Sequence, residues 1–215
     1  MSGIKVAALF VETNGVYWNL EDVDPWDVGR DARLYPGPYP VVCHAPCQRW
    51  GRYWFGGPSA RVRRLKGDDG GCFAAALAAV RRWGGVLEHP EASHAWPMHG
   101  LNDPPKAGHW VVADWVGGWT CCVEQGHYGH PARKATWLYA VGVELPALHW
   151  GPARGRIRLE DGYHSAEERR RKTAERGGSG ARERLSHRER AATPIPFRDL
   201  LLAIARTARP QEVAP

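Results

Sequence analysis

The chain of 215 residues is 43% hydrophobic and carries a formal net charge of +6, long enough for one domain to bury a core of its own. No apolar run approaches the roughly 18 residues that span a bilayer, and the opening "MSGIKVAALFVET" lacks a signal-peptide cleavage pattern, so the expected location is the cytoplasm. Five cysteines, at 43, 47, 72, 121 and 122, form neither a CxxC pair nor an even framework, which argues against a secreted disulfide scaffold and for free thiols.

In chain order, Ile4–Glu12 is a short apolar, β-branched run that reads as a buried strand. Thr13 to Pro40 is rich in Asp, Pro, Gly and aromatics and reads as loop. Val41–His44 is a second strand, ended by Ala45-Pro46. A basic stretch follows, with Arg49, Arg52, Arg61, Arg63, Arg64 and Lys66 set among Gly, Trp and Tyr. The alanine-rich "CFAAALAAVRRW" (72–83) predicts a helix, stopped by Gly84-Gly85. Val86–Glu88 is a third strand with a proline just beyond it. Strand, helix, strand in that order predicts an α/β domain with a parallel sheet. "GWTCCVEQG" and "ATWLYAVGV" add two strands joined by "HYGHPARK".

Residues 1–150 therefore read as the core. Residues 151–192 shift to a charged composition with Gly-Ser spacing, which reads as a solvated arm. In the final segment, 193–215, Phe197, Leu200, Leu201 and Ile204 recur at helical spacing, predicting a helix docked on the core.

Two strand ends share one layout: "VVCHAPC" brings Cys47, and "GVLEHP" brings Glu88, each beside a proline. Open α/β sheets bind ligands outside the carboxyl ends of their strands, so thiol and carboxylate are expected to face one crevice. Arg133 and Lys134 precede a later strand and can point to the same place. A thiol, a carboxylate and a guanidinium together can activate a pyrimidine ring. The thiolate adds to C6, a protonated Glu88 binds N3 and the exocyclic amine, and Arg133 supports the adduct. Arginine charge nearby would lower the thiol's pKa. Two alternatives stay open for Cys47: an ordinary core cysteine, or a zinc ligand with Cys43 and His44, although no familiar zinc spacing is present.

Of the 29 basic residues only five are lysine. Arginine suits bidentate contacts to phosphate and guanine, although a GC-rich genome produces the same bias. Trp50, Tyr53 and Trp54, interleaved with Arg49 and Arg52, suit stacking on an extruded base or a single strand.

These motifs, in this order, resemble the DNA cytosine-C5 methyltransferases. "APCQRWG" (45–51) is similar to their Pro-Cys motif, and "LEHP" (87–90) to their Glu-Asn-Val element with His89 in place of Asn. "YGHPARKATWLYAV" (128–141) resembles their Gln-x-Arg-x-Arg element, with Arg133 and Lys134 at basic positions. The resemblance implies an α/β fold with a Rossmann-like, methyltransferase-type sheet and flanking helices. It further implies Cys47 as nucleophile, Glu88 and Arg133 as its catalytic partners, and S-adenosylmethionine as cofactor.

Cofactor contacts are then expected from Phe10, Glu12, Asp31 and Pro46, with Asp24 and Asp27 nearby. DNA contacts are expected from Arg49, Trp50, Arg52, Arg61, Arg63, Arg64 and Lys134. No obligate protein partner and no membrane are implied, and the compact form suits a phage protein acting in the host cytoplasm. The chain departs from the family in its N-terminal half. The turn after the first strand offers only Gly15 where the family has a Gly-rich loop. Only 34 residues lie between Val11 and Pro46, so this half is shortened, and 151–192 is a reduced recognition region. A pyrimidine modification without S-adenosylmethionine, a non-catalytic DNA-binding protein and a zinc-stabilised module are the alternatives.

Overall fold

Val6–Leu9 (β1) and Val41–Cys43 (β3) bury every residue, as strands do when helices cover both faces of their sheet. The computed structural model describes residues 5–56, 61–153 and 185–209. The remaining strands are Val23–Trp26 (β2), Gly85–Pro90 (β4), Val111–Val112 (β5), Trp119–Glu124 (β6) and Ala135–Val141 (β7). They form one seven-stranded sheet in the order β2-β1-β3-β4-β7-β6-β5. β2, β1, β3 and β4 run parallel, whereas β7, β6 and β5 pair antiparallel. The architecture is α/β with a mixed sheet, not the all-parallel sheet that the strand–helix–strand order predicts. The antiparallel half arises because short connections join β5, β6 and β7, and none of them carries a long crossover helix.

The two faces follow the strand period of two. Ala7, Leu9, Val41, Cys43 and Leu87 face α1 (Cys72–Trp83), where Phe73, Ala76, Leu77 and Val80 cover them. Val6, Ala8, Val42 and Val86 face α4 (Ile195–Arg206), which buries Phe197, Leu201, Leu202, Ile204 and Ala205. Each Val, Leu, Ile or Phe among them contributes roughly 1.5–3 kcal/mol on burial. Two short helices complete the described elements: α2 (Ala95–Met98) and α3 (His187–Ala191). α3 opens on a Ser186–Glu189 capping box.

The predicted helices and strands occupy the expected places: α1 has its predicted bounds, the third strand extends beyond Val86–Glu88 to Gly85–Pro90, and the others are trimmed at their ends by a few residues; Ile4 lies outside the described residues. The stretch Thr13 to Pro40 differs from its reading as loop. It contains β2 and a 3-10 turn at Ala32–Leu34. β2 carries Asp24 and Pro25, poor strand formers, and sits at the sheet edge, where a proline is tolerated. Most of the charged segment read as an arm, 154–184, lies outside the described residues. No described helix is long and apolar enough to cross a membrane.

β1 sits between β2 and β3, and β2 follows it in the chain. The connection leaving β1 therefore turns to one side, and the chain returns on the other side to build β3. That reversal is a topological switch point, and the crevice outside the carboxyl ends of β1 and β3 is where such sheets bind ligands.

Candidate active site at the ends of β3 and β4

β3 and β4 are parallel neighbours, with Cys43 opposite Leu87. One residue further along each strand stand His44 and Glu88, which therefore project to the same face. His44 Nδ1 lies 3.0 Å from Glu88 Oε2. The other carboxylate oxygen accepts from Gln125 Nε2 at 3.1 Å and from the Thr136 hydroxyl at 3.2 Å. Thr136 Oγ1 in turn accepts from Gln125 Nε2 at 2.9 Å. On its other side, His44 Nε2 meets the Tyr17 hydroxyl at 2.8 Å. A line of polar groups, Tyr17–His44–Glu88, thus crosses from the loop after β1 to β4, across the switch point.

Glu88 is 9% exposed. Burial by itself would raise its pKa, but the His44 hydrogen bond and charge, with Lys134 and His89, more than offset that and hold it at about 2. The group is a carboxylate at neutral pH. His89, the next residue, points to the opposite face among Phe73 and Trp96. Neither of its ring nitrogens makes a well-formed hydrogen bond, although the Glu88 charge and then the Pro46 backbone favour its protonated form. Burial pushes its pKa down to about 4, so the ring is neutral.

Cys47 follows Pro46 and opens a turn in which its carbonyl accepts from Trp50 N at 3.0 Å and Gly51 N at 3.2 Å. The thiol is half-buried. Burial and the charge of Glu88 push its pKa up, while its own backbone amide and Lys134 pull it down. The free protein therefore holds a protonated thiol rather than the lowered one expected from nearby arginine. The cation beside the Cys47–Glu88 pair is Lys134, whose pKa burial lowers and whose charge both groups favour. Its Nζ donates to the Ala192 carbonyl at 3.2 Å, at the C-terminal end of α3.

Arg133 turns elsewhere. Its side chain is 58% exposed, and Nε donates to both Glu124 oxygens at 3.1 and 3.0 Å. Cys47, Glu88 and Lys134 influence one another electrostatically, whereas Arg133 is engaged by Glu124. For the zinc alternative, Cys43 and His44 project to opposite faces, with Cys43 Sγ 3.8 Å from the Ala76 carbonyl inside the α1 core. Among the described residues no group of three or more His, Cys, Asp or Glu is placed to hold a metal.

Among the expected DNA contacts, Arg52, Arg61, Arg63 and Arg64 are exposed, alongside exposed Val62 and Leu65. Arg49 is half-buried and donates to the Trp54 carbonyl at 3.3 Å. Trp50 lies in the core at 3% exposure, its indole donating to Asp69 at 2.8 Å. The aromatic residues left on this loop's surface are Tyr53, Trp54 and Phe55, with Arg52 over Tyr53 and Lys66 over Trp54.

The expected cofactor residues surround the ends of β1 and β2. Phe10 follows β1 with φ 60°, Glu12 is exposed, and Gly15 N closes a turn on the Glu12 carbonyl at 2.9 Å. Asp31 is bound bidentately by Arg33 at 2.7 Å per bond, and Pro46 is exposed. Asp27, just past β2, accepts from Thr13 Oγ1 at 2.6 Å and from Gly29 N and Arg30 N at 3.0 and 3.2 Å. Its oxygens close the loop on itself, and Asp31 is likewise engaged by Arg33, so of these carboxylates Glu12 is the one left exposed.

The pairing of His44 with Glu88 had a signal in the sequence. Two neighbouring parallel strands in this register bring the residues after Cys43 and Leu87 side by side, one just past the end of β3 and the other inside β4. Tyr17, Gln125 and Thr136 had none, because a loop crossing and antiparallel pairing deliver them. No protein-family model matches the chain, and no curated protein matches it.

Proposed function

We propose that the protein activates a pyrimidine of DNA, in the manner of a cytosine-C5 methyltransferase, by adding the Cys47 sulfur to C6 of cytosine. The observation that carries this reading is the Glu88 carboxylate, hydrogen-bonded to His44 at the end of β3, with the Cys47 thiol in the turn that follows β3 and the Lys134 charge acting on both. A parallel sheet half with helices on both faces is compatible with a Rossmann-like, methyltransferase-type fold. Sulfur adds to C6, the C5=C6 pair shifts to C4=C5, and N3 takes up a proton beside Glu88. Lys134 supports the thiolate that burial and Glu88 oppose. Arg133 instead anchors its loop to Glu124. The exposed arginines at 52, 61, 63 and 64 supply the phosphate contacts.

The adduct is the step shared by methyl transfer and by other C5 modifications, and the proposed chemistry ends there. The closed Asp27 carboxylate supports a second reading, in which S-adenosylmethionine is not the co-substrate. DNA containing 5-azacytosine tests the adduct directly, since a proton at N5 completes it without a methyl donor. Wild type should form a denaturation-resistant complex that Cys47→Ser abolishes. A complex of equal yield with Cys47→Ser would refute the nucleophile, and no complex with wild type would leave DNA binding without catalysis as the surviving function.

A further inference from the structure

Resting on the proposed addition of Cys47 to cytosine, we infer that His44 is the residue that supplies, through Glu88, the proton taken up by N3 of the base, with Tyr17 holding its far nitrogen. The addition requires a proton at N3, because the C5=C6 pair moves to C4=C5 and displaces the C4=N3 pair onto N3. Glu88 cannot be its original source. The carboxyl is ionised in the free protein, and its two oxygens are taken by His44 on one side and by Gln125 and Thr136 on the other. Gln125 holds no exchangeable acidic proton, and the Thr136 hydroxyl is far too weak an acid. Of the three side chains hydrogen-bonded to Glu88, His44 is the one whose ring can carry a transferable proton on the nitrogen that faces the carboxylate.

The surroundings of the ring suit a doubly protonated imidazole. Nδ1 faces a carboxylate at 3.0 Å and Nε2 faces a hydroxyl at 2.8 Å, so both ring N–H groups have an acceptor without rearrangement. Burial, and the negative charge of Glu88 after it, push the Tyr17 phenol well above its usual pKa. Tyr17 therefore stays a neutral hydroxyl and neither removes the His44 proton nor adds a second anion. The charged groups beyond this line are Lys134 on the Glu88 side and Arg198 and Asp199 of α4 on the Tyr17 side. Tyr17 is itself held in place by its neighbour, since Arg198 Nη1 donates to the Val16 carbonyl at 2.8 Å.

The step balances. The S–C6 bond forms as the C5=C6 pair moves to C4=C5 and the C4=N3 pair takes the proton at N3. Glu88 takes the proton from His44 Nδ1, leaving a neutral imidazole, and passes it to N3, so the carboxylate is restored. The thiol proton of Cys47 leaves to water. His44 thus acts through Glu88 as a positioning residue that also carries the proton, and it does not touch the base.

The test is release of tritium from DNA containing [5-³H]cytosine, which reports reversible addition at C6 without any co-substrate. His44→Asn retains an N–H donor at the Nδ1 position, so Glu88 keeps its partner while the transferable proton is gone. The maximal release rate should fall about 100-fold or more, with DNA affinity within threefold of wild type. Tyr17→Phe should fall by about tenfold on the same readout, which keeps the inference testable if His44→Asn misfolds. A release rate for folded His44→Asn within fivefold of wild type would overturn the proton role and leave His44 as a support for Glu88. A Tyr17→Phe rate equal to wild type would overturn the line as a working unit. If wild type releases no tritium while Cys47→Ser is equally silent, the parent reading fails instead, and this inference with it.

Discussion

Glu88 and His89 are adjacent residues with opposite fates, and the alternation of a strand separates them. Glu88 sits on the α4 face with three hydrogen-bond donors, whereas His89 sits on the α1 face among aromatic rings. Both tie stability to pH with the same sign. An imidazole whose pKa falls from 6.5 to about 4 contributes stability above the unfolded value that is lost as pH drops from about 6.5 toward 4. A carboxyl lowered from 4.5 to about 2 contributes stability that is lost between about pH 5 and 2. Denaturant midpoints measured from pH 7.5 to 3 should therefore decline in two stages, each on the order of 3 kcal/mol at most. His89→Leu should flatten the upper stage and leave the lower. An unchanged upper stage in that variant would show that another group titrates there.

At the scale of elements, the approach of β4 to β3 decides whether the site exists. Gly85 opens β4 with φ +126°, and a Cβ placed there would stand 2.0 Å from the Val41 carbonyl oxygen. Backbone occupies that space, so no side-chain rearrangement relieves it. Gly85→Ala should cost about 3 kcal/mol or more and, in whatever folded fraction remains, separate His44 from Glu88. Urea denaturation reads the first effect and 5-azacytosine adduct yield the second. Stability within 0.5 kcal/mol of wild type would mean that the strands adjust freely. The basic turn after β3 is similarly tied to the core. Asp69 accepts from the Trp50 indole and from the amides of Gly71 and Phe73, joining the turn to the start of α1. Trp50 therefore supports the basic loop from beneath.

For the whole molecule, the net charge of +6 is effective only where it is concentrated. Arg61, Arg63 and Arg64 are exposed together beside the site-bearing turn. Each arginine removed from a phosphate should reduce the slope of log affinity against log salt by about 0.9. Replacing all three by alanine should thus lower the slope for duplex DNA by roughly 2 to 3, read by fluorescence anisotropy across salt concentrations. An unchanged slope would refute these arginines as phosphate contacts.

The sequence by itself determined the elements whose residues carry their own pattern. The alanine-rich run at Cys72–Trp83, the apolar spacing from Phe197 to Ile204 and the β-branched runs of β1, β3 and β4 were all legible, because period and burial are local properties. It also determined that Cys47 and Glu88 lie just past or near the ends of strands. Only the tertiary structure decided what surrounds them. β2 exists because β1 offers it an edge, despite Asp24 and Pro25. Arg133 and Lys134 are neighbours in sequence, yet one is drawn to Glu124 and the other to the Cys47–Glu88 pair. The Tyr17–His44–Glu88 line joins residues 27 and 44 positions apart. Such contacts are set by strand order and register, and no local pattern of residues encodes which strand will lie beside which.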